Sequence, residues 1–315
     1  MAVPILLLIV GFVALILGAN WLVDGATSLG IRAKLSPLII GLTIVAFGTS
    51  LPELIVNVFS CFQGNSGLAI GNIVGSNIMN ILLILGVAAI IYPIDVSRVS
   101  IRRDIPTGFA ATVALFCFVH FLGPSNSIVW YESLVLLVLA VVYLFLTIKV
   151  KEPEATEVEA VQIPLPWWKT IVFLVFGILG LYLGGELVSK NAQLIAKAWG
   201  MSDAMIGLTV VATATSLPEL ITSVIAATKK NAGIAIGNVL GSNILNIYIV
   251  LGISGLITPL QFDTKMNNSL VFLFGANLLM TLFVFTGKGR KISRFEGILM
   301  LLAFSGFMAY TIMAH

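Results

Sequence analysis

Charge is scarce in this chain. Only 10% of its 315 residues are Asp, Glu, Lys or Arg, against about 25% in an ordinary soluble domain. Cysteine is nearly absent too: Cys61 and Cys117 lie in apolar stretches and offer no disulfide framework. The two histidines, His120 and His315, have no metal-ligand spacing, which argues against zinc, copper or iron. No Gly-rich phosphate loop ending in Lys-Ser or Lys-Thr is present, which disfavours an ATP-driven pump. No basic patch interleaved with aromatics is present either, so nucleic acid is not an expected partner.

What the chain has in excess is hydrocarbon: 59% hydrophobic residues and a mean hydropathy of +1.08. Stretches of roughly 20 apolar residues, each able to cross a bilayer, recur throughout. Ten spans are expected, at 3–29, 37–62, 67–92, 105–123, 129–149, 169–196, 204–228, 233–259, 267–287 and 294–313. The first is too long for a cleaved signal peptide. Lys and Arg then set the orientation. Fourteen of them fall in alternate loops (Arg32, Lys34, Arg98 and Lys230 among them), whereas Lys190, Lys197 and Lys265 fall elsewhere. By the positive-inside rule both termini are extracellular and the central linker is cytoplasmic.

Two segments are copies of each other. GLTIVAFGTSLPELI begins at Gly41 and GLTVVATATSLPELI at Gly207, an offset of 166 that persists without a gap to Pro93 and Pro259. About 29 of the 53 aligned positions, 41–93 against 207–259, are identical. The expected organisation is a first half over 1–150, a cytoplasmic linker over 151–168 and a second half over 169–315. Five spans per half is an odd number, so the second half crosses in the opposite sense. The fold class is therefore all-α integral membrane, ten transmembrane helices in two inverted five-helix repeats, with substrate sites where interrupted helices meet.

Each copy carries an acid within an apolar helix, Glu53 and Glu219. A carboxylate in hydrocarbon costs at least a few kcal/mol, so two in matched surroundings mark an ion site. Thr49, Ser50 and Glu53 are spaced to share a helix face, as are Thr215, Ser216 and Glu219. Pro52 and Pro218 lack an N–H and should break their helices, loosening carbonyls from Ala46 to Thr49 and, by the same logic, in the second copy. Further along, AIGNIVGSNIMNI and AIGNVLGSNILNI place Ser76 four residues before Asn80 and Ser242 four before Asn246. Gly71 with Gly75, and Gly237 with Gly241, allow close helix approach that brings these groups toward the acids. One such stretch alone could be a packing kink; the duplication argues otherwise. All the donors are hard oxygens, suited to Ca²⁺ or to several monovalent cations. Glu186 stands four residues before Lys190 and pairs with it on this reading, while Asp24 and Glu132 read as interfacial.

The pattern [GA]-T-S-L-P-E followed by G-N-x-x-G-S-N-x-x-N, present twice, resembles the α-repeats of the calcium/cation antiporter superfamily, and within it prokaryotic sodium/calcium exchangers. The resemblance implies a secondary antiporter exchanging Na⁺ for Ca²⁺ across the cell membrane by alternating access. It implies electrogenic exchange, no enzyme activity, no cofactor and no obligatory protein partner besides the bilayer. It further implies ligands at Ala46, Thr49, Ser50, Glu53, Ser76 and Asn80, and at Ala212, Thr215, Ser216, Glu219, Ser242 and Asn246. Two departures stand out: Ala214 replaces the Gly of Gly-Thr-Ser, and Asn246 stands where potassium-dependent members carry Asp. The alternative is a proton/calcium or other cation exchanger on the same scaffold, although the Gly-Asn-x-x-Glu context of that branch is missing. A channel is a third reading, which coupled flux against a gradient would exclude.

Overall fold

The computed structural model describes residues 2–64, 66–122, 126–149, 164–200, 212–286 and 290–314. Most of the expected linker, and the start of the span expected at 204–228, lie outside these residues.

Two helices of 32 residues, α1 (Ala2–Ala33) and α9 (Trp167–Ala198), pack along each other. At 1.5 Å per residue each is about 48 Å long, well beyond the roughly 30 Å of a hydrocarbon core. Their approach depends on glycine. A Cβ on Gly18 would lie 2.7 Å from the Leu181 nitrogen, and one on Gly177 would lie 2.7 Å from the Leu22 nitrogen. Much of the rest of both helices faces outward and is apolar, as lipid-facing helices should be.

The second segment is interrupted. It runs through α2 (Pro37–Ile40), a π-helical turn (Gly41–Val45) and α3 (Ala46–Thr49), then restarts after Ser50 as α4 (Leu51–Phe62). The axis bends by 42° across the break. Pro52 explains the restart, because its ring is accepted in the first turn of a helix and not inside one. The third segment joins α5 (Ser66–Met79), a π-helical turn (Asn80–Ile84) and α6 (Leu85–Ile91). A third π-helical turn (Ser100–Asp104) leads into α7 (Ile105–His120), and α8 (Trp130–Lys149) closes the first half.

The second half repeats this order. After α9 come α10 (Ala212–Thr215) and α11 (Leu217–Thr228), broken at Ser216 as the first copy is at Ser50. There follow α12 (Ala232–Leu245), a π-helical turn (Asn246–Leu251) and α13 (Gly252–Ile257). The chain ends with α14 (Asn267–Thr286) and α15 (Arg294–Ala314). Two short antiparallel ladders tie the halves together. β1 (Ile94–Asp95) pairs with β4 (Lys291–Ile292), and β2 (Ser127–Ile128) pairs with β3 (Leu260–Gln261). Lys291 and Asp95 add an ion pair at 3.0 Å.

Among the described residues six helical stretches are long and apolar enough to cross a membrane, and the bent pair at 37–62 would make a seventh. The other three expected spans correspond to α7, α11 and α15. The two stretches running through α5–α6 and α12–α13 are mostly buried within the protein, which puts their polar motif residues at its centre.

Candidate ion-binding site

The helix breaks position the acids. Glu53 and Glu219 fall in the first turns of α4 and α11, just after the breaks at Ser50 and Ser216. A helix N-terminus presents unpaired N–H groups and partial positive charge, which favours a carboxylate there. Both glutamates are fully buried, and none of the ion pairs found among the described residues involves either one. Two carboxyl groups therefore sit inside an apolar protein without a basic partner in that set, an arrangement costly in the charged form unless a cation or a proton neutralises it.

The two halves complete each other. Ser50 Oγ donates to Glu219 Oε1 at 3.0 Å, and Ser216 Oγ to Glu53 Oε1 at 3.5 Å. Thr49 donates to Asn238 Oδ1 at 3.0 Å, and Thr215 to Asn72 Oδ1 at 3.5 Å. Each pair becomes the other on adding 166 to one number and subtracting it from the second, the reciprocity of a two-fold arrangement. Ser216 also reaches Ser76 at 3.1 Å, and Thr49 reaches Ser242 at 3.5 Å. The sequence grouped Ser50 with Glu53 on one face. Instead the backbone at Ser50, with φ −84° and ψ 5°, leaves the helix and turns the hydroxyl to the glutamate of the other copy.

Among the described residues, the buried acceptors without a hydrogen-bond partner include Glu53 Oε2, Glu219 Oε2, Asn80 Oδ1 and Asn246 Oδ1. They form two matched pairs under the 166-residue offset. Asn80 and Asn246 each open a π-helical turn, a wider turn that often marks functional sites. Among the described residues no three or more His, Cys, Asp or Glu side chains cluster. The donor set is two carboxylates and neutral oxygens, the chemistry of hard cations. A cavity of about 10 Å³, room for about one water, reaches Ser50 between Phe47, Leu54 and Leu245.

The expected residues Thr49, Ser50, Glu53, Ser76, Asn80, Thr215, Ser216, Glu219, Ser242 and Asn246 are all buried around this centre. Ala46 lies in the wall and departs from expectation: its carbonyl is not freed. It accepts from Ser50 N at 3.0 Å, an ordinary helical bond, with Thr49 Oγ1 3.2 Å away. The reason is register, since the N–H that Pro52 lacks would have gone to Gly48, two residues later. Ala212 opens α10. In the second copy the close approach expected of Gly237 and Gly241 is present. Added Cβ atoms would lie 2.7 Å from the Leu38 carbonyl oxygen and from Ala46 Cβ respectively. The corresponding partner segment for Gly71 and Gly75, at 204–211, lies outside the described residues.

Other acids stand apart from the site. Glu186 pairs with Lys190 at 2.6 Å, as its spacing suggested, and Asp24 pairs with Lys229 at 2.7 Å. Glu132 is buried in the first turn of α8, which it caps by accepting from Val129 N at 2.9 Å. Sequence reasoning gave no role to Asn57, Asn72, Asn77, Ser223, Asn238 and Asn243. Asn72 donates to Asn57 Oδ1 at 2.9 Å, and Asn238 donates to Ser223 Oγ at 2.9 Å and to the Glu219 carbonyl at 3.3 Å. The repeat itself was the available signal, because four of these six are identical between the copies.

Known proteins share this sequence and fold. The model of the sodium/calcium exchanger protein family matches residues 3–149 and 169–313. CaxA of Alkalimonas amylolytica is 38% identical over 312 residues, spanning 98% of both chains. The sodium/calcium exchanger MaX1 of Methanosarcina acetivorans is 29% identical, with 97% of each chain covered. A solved structure of the sodium-calcium exchanger NCX_Mj superposes with a TM-score of 0.85 at 33% identity, covering 98% of this chain and 99% of that one. With its repeated motif, its interrupted helices and these relatives, the chain belongs to the sodium/calcium exchanger family of membrane ion antiporters.

Proposed function

We propose that this protein exchanges Na⁺ for Ca²⁺ across the cell membrane by alternating access, as a ten-span transporter whose halves, 1–150 and 169–315, are inverted repeats with extracellular termini. The observation that carries this reading is the set of four buried, unpartnered oxygens on Glu53, Glu219, Asn80 and Asn246. Ca²⁺ takes about six to eight oxygens. The hydroxyls of Ser50, Ser76, Ser216 and Ser242, with oxygens of Thr49, Ala212 and Thr215, complete the count for Ca²⁺ or Na⁺. Two Glu charges balance one Ca²⁺. Three Na⁺ would leave the site at a net charge of +1, so exchange in that ratio moves charge across the membrane. Supporting the assignment, MaX1 and NCX_Mj are both named as sodium/calcium exchangers.

The test is ⁴⁵Ca²⁺ uptake into proteoliposomes loaded with Na⁺, compared with vesicles carrying only a proton gradient. Uptake against a gradient that requires internal Na⁺ is expected. Uptake driven by protons alone would make the protein a proton/calcium exchanger, and purely downhill flux would make it a channel. An inside-positive potential, set with K⁺ and valinomycin, should accelerate Na⁺-driven Ca²⁺ entry, because net positive charge then leaves. One charge per cycle is worth about 2.3 kcal/mol per 100 mV. An equilibrium Ca²⁺ gradient indifferent to voltage would mean neutral exchange.

A further inference from the structure

Asn77 and Asn243 meet where α5 and α12 cross, and both are buried. Asn77 Nδ2 donates to the backbone carbonyl of Asn243 at 3.1 Å, and Asn243 Nδ2 donates to that of Asn77 at 3.3 Å. Each side-chain oxygen then accepts from a neighbouring amide. Asn80 Nδ2 donates to Asn243 Oδ1 at 2.9 Å, and Asn246 Nδ2 to Asn77 Oδ1 at 3.1 Å. Four amides and two carbonyls form one closed, reciprocal network.

The chemistry of this network has a direction. A backbone carbonyl can only accept, so the NH₂ ends of Asn77 and Asn243 must face it. Their oxygens therefore face Asn80 and Asn246, which must present NH₂ in return. The remaining oxygens of Asn80 and Asn246 are left without a partner. An amide free to rotate would offer NH₂ to that space as readily as oxygen, and an NH₂ there repels a cation. We propose that Asn77 and Asn243 are positioning residues, a polarity relay that holds the amide oxygens of Asn246 and Asn80 toward the transported cation. The relay rests on the reading of Asn80 and Asn246 as ligands. It also gives a reason for both GSN triplets: the serine lies at the site and the asparagine after it orients the last amide of the other copy's motif.

An isosteric pair separates the relay from packing. In Asn243→Thr the hydroxyl can donate to the Asn77 carbonyl and accept from Asn80, whereas Asn243→Val has the same shape and can do neither. Positioning groups behind a metal ligand are typically worth ten- to a hundredfold in affinity, so Asn243→Val should raise the Ca²⁺ KM by roughly tenfold or more. Asn243→Thr should stay within about threefold of the parent, its hydroxyl supplying one donor and two acceptors. The contrast should vanish in an Asn80→Ala background, since the relay acts only through Asn80. If both Asn243 variants purify aggregated, Asn77→Thr and Asn77→Val pose the same question through Asn246, with Asn246→Ala as background. Equal KM for the Thr and Val proteins, while Asn80→Ala itself raises KM, overturns the relay and leaves the ligand reading standing. A Thr–Val contrast that survives in Asn80→Ala overturns it as well. Unchanged KM in Asn80→Ala removes the ligand reading, and the relay with it.

Discussion

The two copies of the repeat agree where oxygens face the site and diverge around it. Ser50 and Ser216, Glu53 and Glu219, Asn80 and Asn246 make reciprocal contacts through identical side chains. One step back, Asn57 in the first copy corresponds to Ser223 in the second. The atoms differ but the service is the same, since each offers an oxygen to the NH₂ of Asn72 or Asn238. Farther out the likeness is partial: Glu132 and Glu296 each cap a helix by accepting from a backbone N–H three residues earlier, while other contacts differ. Asp104 is fully buried, paired with Arg103 at 2.6 Å and within 3.4 Å of the Tyr143 hydroxyl. In the second half a neutral pair, Asn268 and Tyr310, makes an exposed hydrogen bond. Two-fold chemistry is thus most complete at the centre, and some polar contacts of the surrounding helices differ.

The harshest test of that equivalence removes one acid at a time. Glu53→Gln and Glu219→Gln should each nearly abolish Ca²⁺ uptake, and to the same degree. At about 4 Å and an effective dielectric of about 20, each unit of charge attraction is worth about 4 kcal/mol. That corresponds to about a thousandfold in affinity. Glutamine keeps the shape, so both variants should fold. Substantial Ca²⁺ exchange by either purified protein would show that the copies are not equivalent and that the surviving acid suffices.

The outer asymmetry predicts a different kind of loss. Asp104→Asn leaves the Arg103 guanidinium, largely buried, without its countercharge. Breaking a buried pair from one side typically costs about 3 kcal/mol or more. The expected result is a clear fall in the apparent Tm of the detergent-solubilised protein, with Ca²⁺ KM near the parent value. Asn268→Ala, at the exposed hydrogen bond of the second half, should move Tm little. Matching losses at the two places would mean that the second half depends on its polar contact as much as the first does.

Much of this was legible in the sequence because the signals are local or duplicated. An acid inside an apolar run costs energy wherever the run goes, and its copy 166 residues later removes coincidence. Pro52 announced the helix break from backbone chemistry alone. What escaped depends on the partner across the interface. Nothing local says that Ser50 serves Glu219 and not Glu53, since that follows from the turn at Ser50 and the packing of the halves. Asn77 looked like one more polar residue in the motif until Asn243 was found against it. The π-helical turns at Asn80 and Asn246 have no sequence pattern of their own. The capping role of Glu132 escaped as well, because the sequence does not show which backbone N–H its carboxylate will accept from.

The smallest expected effect concerns the one place where the copies differ inside the motif itself, Gly48 against Ala214. A Cβ on Gly48 would meet Ile178 Cγ1 at 3.1 Å and Cδ1 at 3.3 Å, with Leu22 Cδ2 at 3.9 Å. These are side-chain atoms, and Ile178 Cδ1 ends a rotatable bond, so a shift of a few tenths of an ångström relieves the contact. Against that cost, replacing a helical glycine with alanine gains up to about 1 kcal/mol by restricting the unfolded chain and favouring the helix. The second copy already carries the methyl group, at a buried position, beside the same Thr-Ser pair. Gly48→Ala should therefore change stability by less than about 1 kcal/mol in either direction. Ala214→Gly should cost about that much. Neither should shift Ca²⁺ KM beyond about twofold, a difference of about 0.4 kcal/mol. Thermal melts and uptake curves on both proteins measure this directly. A large KM change in Gly48→Ala alone would show that α3 must approach α9 more closely than its counterpart does, and that the halves part company at the site as well as around it.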